Sequence, residues 1–222
     1  MVQRGGIASG VFVAAGGWLP AGIVRRLSLI GERLALGAWW ARQGSPSVVA
    51  DRLELVDHVA QELCDGGTYL EFGVAYGTLT RRFVSTNRQS EVSIHGYDSW
   101  IGLPEPHHDG VVEGAFSTQG SPPQISDARI EWHIGWFNDT LLEPPLIRHP
   151  LALMMDADLY SSTSYVLHKL RDELHAGDLI YFDDLHIPNQ ERLAVDEAMR
   201  AGLNLQPIAR SREGRSGLFR VQ

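Results

Sequence analysis

Apolar positions follow two rhythms along the chain. Residues 68–74, 93–98, 130–136, 151–155 and 179–182 are short apolar runs, and the last two are followed at once by aspartates. Runs that stay apolar instead of alternating predict strands buried on both faces of a parallel sheet. Around them, apolar residues return every three or four positions. Val49, Leu53, Val56, Val59, Ala60 and Leu63 trace one helix, with Ser47 as its expected cap. Residues 79–84 begin a second helix, 161–176 supply a crossover helix, and 189–201 form another. Ser161, Ser162 or Thr163 is the expected cap of the crossover helix, and Gly177 its stop. Residues 203–209 and 218–221 flank the turn RSREGRSG and predict a terminal antiparallel pair. The whole reads as an α/β chain: a doubly wound, mostly parallel sheet of seven strands with an antiparallel C-terminal edge.

In such a sheet ligands bind outside the carboxyl ends of the strands, and that edge is acidic here. Asp156 and Asp158 follow one strand, Asp183 and Asp184 the next. Four carboxylates at adjacent strand ends repel one another unless a cation sits among them, and a hard divalent ion such as magnesium takes oxygen ligands of this kind. Asp158 lies two residues beyond Asp156, so in an extended segment both face one way. One can then ligate while the other accepts a proton. The first strand runs into Glu71-Phe72-Gly73-Val74-Ala75-Tyr76-Gly77. This turn lacks the G-x-G-x-x-G of a pyrophosphate site, and a carboxylate there suits a cationic cofactor. Asp98 ends the next strand at about the 20-residue offset of a ribose-binding acid. Each feature alone also has an architectural reading, since glycines make turns and aspartates cap helices.

Composition narrows the function classes. The 222 residues fit one large domain with a real core, and a net charge of -8 argues against nucleic acid as partner. Cys64 is the single cysteine, read as a small buried residue of a helix; it excludes a disulfide framework and suits a cytoplasmic protein. Residues 1–46 form a distinct arm, with five arginines against one acid, so the arm carries +4 and the rest -12. Its uncharged start is too broken by glycines and Pro20 for a membrane-spanning helix. Ile23, Leu27, Ile30, Leu34 and Ala38 then share one helical face, suited to docking on the domain or on a second subunit. Residues 47–222 are the expected main domain. Within it, 100–124 is rich in Gly, Pro and His and reads as a long functional loop. His107 and His108 read as solvated loop residues. His186, after the acidic pair, reads equally as a substrate-orienting or a turn residue.

Taken together, EFGVAYG at 71–77, YDSWIGLPE at 97–105, GWFNDTL at 135–141, MDADLYSST at 155–163 and FDDL at 182–185, with a looser AVDEAM at 194–199, carry a specific resemblance. Over residues 50–222 the chain resembles class I S-adenosylmethionine-dependent methyltransferases. Within them it resembles the macrocin O-methyltransferase family, which methylates sugar hydroxyls on macrolide and aminocoumarin antibiotics. The resemblance implies a Rossmann-like methyltransferase fold and an S-adenosylmethionine site. It puts Glu71, Gly73 and Gly77 by the amino-acid and ribose part, Asp98 and Ser99 on the ribose, and Trp136 near the adenine. It further implies Mg2+ on Asp156, Asp183 and Asp184, and Asp158 as general base. Thr78-Leu79 departs from the smaller residues usual after the second glycine. The expected protein is a cytoplasmic, magnesium-dependent O-methyltransferase. Its acceptor is a small hydroxylated molecule, a sugar moiety of a natural product, with no nucleic-acid or membrane partner and a homo-oligomeric state. The alternatives are a metal-independent small-molecule methyltransferase and a non-catalytic S-adenosylmethionine-binding module.

Overall fold

The computed structural model describes residues 19–63, 66–107 and 110–222. Cys64, His108 and the first 18 residues of the arm lie outside them. At the centre are the apolar runs noted above: β2 (Gly67–Phe72), β5 (Leu151–Met155) and β6 (Leu179–Phe182) are buried at every position. Their side chains alternate between two cores, as a period of two requires. Leu70, Phe72, Leu153, Met155, Ile180 and Phe182 face one core, while Tyr69, Ala152, Met154, Leu179 and Tyr181 face the other.

The parallel set continues through β3 (Val92–Asp98) to the edge strand β4 (Ile130–Ile134). On the other side, β7 (Leu205–Ser211) and β8 (Gly217–Val221) form the antiparallel hairpin that the terminal turn predicts. The sheet has eight strands, not seven, because Ser47–Val49 forms a short β1 parallel to β7. Three residues are too few to show a period. Strand order is β1-β7-β8-β6-β5-β2-β3-β4.

Helix boundaries depart from expectation for identifiable reasons. Ser47 is consumed by β1; α2 (Arg52–Glu62) is capped by Asp51, whose carboxylate accepts the Leu53 and Glu54 N–H groups at 2.8 and 3.2 Å. The crossover helix is shorter, Tyr160–Lys169 (α5 here, after α3, Thr78–Thr86, and the single turn α4, Phe137–Thr140), and is followed by a 3-10 turn. None of Ser161, Ser162 and Thr163 caps it. Instead the free Tyr160 N–H donates to Gln190 Oε1 at 2.7 Å, just ahead of α6 (Glu191–Arg200). β4 stops before Trp136 because Gly135 turns the chain at φ 149°.

The arm's helix, α1 (Ala21–Gln43), docks by a different face from the one expected. Ile23, Leu27, Ile30, Leu34 and Ala38 are exposed, whereas Leu36, Trp39 and Trp40 are buried. Trp40 stacks on Phe219 with ring centroids 5.7 Å apart and donates to the Gly214 carbonyl at 2.8 Å. Each indole is larger than any one side chain of the aliphatic stripe, and both N–H groups find partners, Trp39 on Asp196. Among the described residues no helix is long and apolar enough to cross a membrane.

Candidate active site

Strand register brings the strand ends level. Phe72 lies beside Met155, and Met155 beside Phe182. The next amides continue the ladder: Asp156 N–H to Phe72 O, Asp183 N–H to Met155 O and Gly73 N–H to Tyr97 O, at 2.9 to 3.0 Å. Asp156, Asp183 and Gly73 therefore leave three adjacent strands at one level. Above them opens a cavity of about 710 Å3. Gly73, Asp98, Ser99, Trp136, Asp156, Asp158, Asp183 and Asp184 all line it.

Glu71 and Gly77 stand outside that lining, behind the turn. Glu71 is buried and accepts hydrogen bonds from the Tyr69 hydroxyl at 2.6 Å and Thr80 Oγ1 at 2.7 Å. Burial raises its pKa to about 7 against those two bonds, with the charge of Asp98 adding to the rise. Gly73 has a steric reason to be glycine: at φ +90° its Cβ would fall 1.8 Å from the Asp156 carbonyl oxygen. Asp98 Oδ2 accepts the Ala75 N–H and Oδ1 the Trp100 N–H, both at 2.7 Å. Burial holds its pKa up in spite of these bonds. The turn-forming and the ligand-facing readings of Asp98 therefore coexist.

The acidic cluster holds five carboxylates, not four. Glu191, fully buried at the start of α6, accepts the Ala157 N–H at 3.1 Å and the Asp184 N–H at 2.9 Å. It thereby clamps the two strand-end loops together. Charge compensation comes from Arg52 and Arg215, and His186 stands beside them. Arg52 Nη1 lies 2.8 Å from Asp183 Oδ2 and 3.7 Å from Asp156 Oδ2. Asp183 also accepts the Tyr181 and Ser216 hydroxyls. His186 and Arg215 lie 3.3 and 3.6 Å from Asp184 Oδ1.

The two guanidinium groups do not balance the set. Burial, then the charges of Asp183 and Asp158, push Asp156 well above the carboxylate range. Burial and the neighbouring Asp184 take Asp158 to about 8. Burial and Asp184 likewise raise Glu191. Asp184 goes the other way: burial opposes its charge, but its interactions with His186, Asp158 and Arg215 outweigh burial and bring it to about 2. Three carboxyls with raised pKa values, Glu191 buried and Asp156 and Asp158 half-buried, mark a site with more negative charge than its own side chains offset, and oxygen donors suit a hard cation. Asp158 sits at φ 62°, a conformation L residues seldom adopt, in a tight turn closed by Leu159 N–H to Ala157 O at 2.6 Å.

The long loop is built around Trp100, which is buried, donates to the Ala75 carbonyl at 3.0 Å, and accepts the Thr118 and Gly120 amides on its own carbonyl. His107 is not solvated as expected. It is buried, and among the described residues one of its ring nitrogens lies within 4.8 Å of carboxylate oxygens of Asp158 and Asp184. Sequence reasoning missed Arg52, Glu191 and Arg215: Arg52 meets Asp183 across 131 residues of chain, and Glu191 reaches Ala157 across 34.

Residues 110–210 match the model of the macrocin O-methyltransferase family (TylF). The chain is similar to the 8-demethyl-8-(2,3-dimethoxy-alpha-L-rhamnosyl)-tetracenomycin-C 4'-O-methyltransferase of Streptomyces olivaceus, at 26% identity over 201 residues, spanning 78% of this chain and 75% of that one. Its fold resembles that of the O-methyltransferase NovP, with a TM-score of 0.59, 23% identity and coverage of 76% and 78% of the two chains. It also resembles CalS11, the calicheamicin methyltransferase, with a TM-score of 0.56, 22% identity and coverage of 76% and 77%. The matched stretch contains both acidic pairs and the strands that carry them to the cavity. The model of the macrocin O-methyltransferase family thus matches a little under half of the chain, and the fold is one that NovP and CalS11 share.

Proposed function

We propose that the chain is a member of the macrocin O-methyltransferase family and moves the methyl group of S-adenosylmethionine to a hydroxyl on a sugar moiety of a small natural product. In this reading Asp156, Asp183 and Asp184 hold magnesium, and Asp158 receives the proton. The observation that carries it is the excess of carboxylate at the end of β5 and β6, on the floor of a cavity large enough for cofactor and acceptor. The sugar acceptor follows the Streptomyces olivaceus relative, which is named for methylating a rhamnosyl compound.

S-adenosylmethionine supplies an electrophilic methyl on a sulfonium, and magnesium, when bound, polarises a hydroxyl and lowers its pKa. The chain's own residues do the rest. Gly73 to Ala75 present backbone to the cofactor, Asp98 and Ser99 offer polar atoms to its ribose, and Trp136 and Phe137 form an apolar wall that excludes water. Glu71 and Gly77 act from behind by setting the turn. Asp158, fixed by its turn beside Asp184, accepts the hydroxyl proton in its ionised form. A pKa of about 8 makes that form a stronger base than an ordinary carboxylate and leaves it scarce at neutral pH until a cation offsets the cluster. Methyl transfer is then a matter of positioning oxygen against sulfonium.

One observation favours a second reading, a metal-independent enzyme. Arg52 already spans Asp156 and Asp183, the place where magnesium would compete with it. The deciding experiment is methyl transfer to a rhamnosylated polyketide acceptor with added magnesium or with EDTA, in wild type and Asp158→Asn. Loss of turnover with EDTA, restored by magnesium, supports the metal. Full turnover in EDTA supports Arg52 as the resident cation. Full activity of Asp158→Asn removes Asp158 as base. The reading also keeps residues 1–46 as an accessory arm to the domain at 47–222, in a cytoplasmic homo-oligomer that uses the exposed face of α1. Sedimentation of wild type against Leu27→Glu tests that last point.

A further inference from the structure

A second convergence of donor atoms lies on the β3–β4 edge, and none of its members lines the methyl-transfer cavity. In the strand register His95 pairs with Glu131 and Tyr97 with His133. Glu131 and His133 are two apart on β4, so both project to the face that carries His95. His95 Nδ1 and His133 Nε2 are 3.1 Å apart. The Glu131 carboxylate oxygens stand 3.6 Å from His95 Nδ1 and 3.9 Å from His133 Nε2. All three ligand atoms fall within 4.8 Å of one another. Two nitrogens bound to one zinc at roughly 2.0–2.1 Å in a tetrahedral array are about 3.3 Å apart, so the imidazole pair already has nearly the required bite.

The rings are held in place before any ion arrives. Tyr97 stacks on His133 with centroids 4.1 Å apart and planes 7° from parallel, and His95 is buried. Glu131 is exposed, which gives an ion a route from solvent and leaves a fourth position for water. Two imidazoles and one carboxylate suit zinc, nickel or copper, not magnesium, so this donor set differs in kind from the all-oxygen cluster. We propose that His95, Glu131 and His133 form a binding site for a divalent transition metal, zinc in the first instance, that ties the edge strand β4 to β3. β4 is paired on one side only, and the turn after it delivers Trp136 and Phe137 to the cavity wall. A metal here braces that wall.

The test is a zinc titration of chelator-stripped protein in competition with a chromophoric chelator. Wild type should bind one equivalent that Asp184→Asn retains and His133→Ala loses. Losing even a supporting partner of a metal ligand costs roughly 10- to 100-fold in affinity, so His133→Ala should weaken binding by at least the upper figure. Glu131→Gln, at an exposed position, should weaken it by about tenfold and keeps the test decisive if His133→Ala does not fold. No zinc bound by wild type, or the same affinity in Glu131→Gln and His133→Ala as in wild type, would overturn the site.

Discussion

Arg52 Nη1 stands 2.8 Å from Asp183 Oδ2 and 3.7 Å from Asp156 Oδ2, so one guanidinium from the first turn of α2 fills the gap between the ends of β5 and β6. This cation belongs to the chain and needs no ligand. Its side chain is 40% exposed, which screens its charge. Arg52→Gln should therefore cost only ~1 kcal/mol of stability despite meeting two carboxylates. The larger effect is on metal response. If guanidinium and magnesium compete for these oxygens, magnesium should raise the melting temperature of Arg52→Gln more than that of wild type. Equal rises in the two proteins would show that they do not share a site.

Glu191 is the keystone of the two acidic loops, because its two oxygens accept one amide from each. Glu191→Ala leaves the buried Ala157 and Asp184 N–H groups without partners, at ~1–3 kcal/mol each. Urea unfolding should show a loss of ~2–5 kcal/mol for Glu191→Ala, and a smaller one for Glu191→Gln, whose amide oxygen still accepts one bond. Turnover should fall in both with less change in cofactor binding, since the amides concerned belong to the acid loops. A Glu191→Ala protein with wild-type stability would show that the clamp carries nothing.

Gly73 and Gly77 of the turn after β2, with Gly114 of the long loop, make a graded series. A Cβ at Gly73 meets the Asp156 carbonyl, which is backbone of the neighbouring strand and has nowhere to go. Gly73→Ala should cost ~3 kcal/mol or more and uncouple β2 from β5. At Gly77 (φ +74°) the obstacle is the Pro123 side chain at 2.8 Å, which can shift, so ~1–2 kcal/mol is expected. At Gly114 (φ +80°) nothing lies within 4 Å, and only the backbone penalty of about 1 kcal/mol remains. Denaturation midpoints should fall in that order; a Gly73→Ala no worse than Gly114→Ala would contradict the close approach.

Much of this architecture is written locally. Continuous apolar runs mark β5 and β6 because both faces of those strands are buried, and aspartates follow where the apolar environment ends. What is not local was not legible. Arg52 meets Asp183 across 131 residues of chain, and Glu191 reaches Ala157 across 34. Patterning assigns a charged residue to solvent, so nothing in the sequence around Glu191 announces its burial. α1 misleads for the opposite reason: its aliphatic stripe is the more periodic face, but Trp39 and Trp40 have the rings and N–H groups that find partners on the domain, and they decide how it docks.

Glu71 gives the chain a pH dependence of defined sign. Its folded pKa is raised to about 7 from an ordinary 4.5 by burial in particular. Below the unfolded value both states are protonated and the group costs nothing. As pH rises through that value, the unfolded chain releases a proton that the folded one keeps, and folded stability declines until Glu71 itself ionises near neutrality. The penalty is complete above that point, at about 3 kcal/mol for a shift of this size. Asp156, Asp158 and Glu191 are also raised and act in the same direction, so the wild-type curve alone does not isolate Glu71. The difference curve does. Glu71→Gln keeps an oxygen for the Tyr69 and Thr80 hydroxyls and removes the charge. It should therefore be more stable than wild type at pH 8, with the gap closing as pH falls from 7 to 4.5. A gap that stays constant over that range would mean that Glu71 titrates alike in the folded and unfolded chains, and its burial would then carry no electrostatic cost.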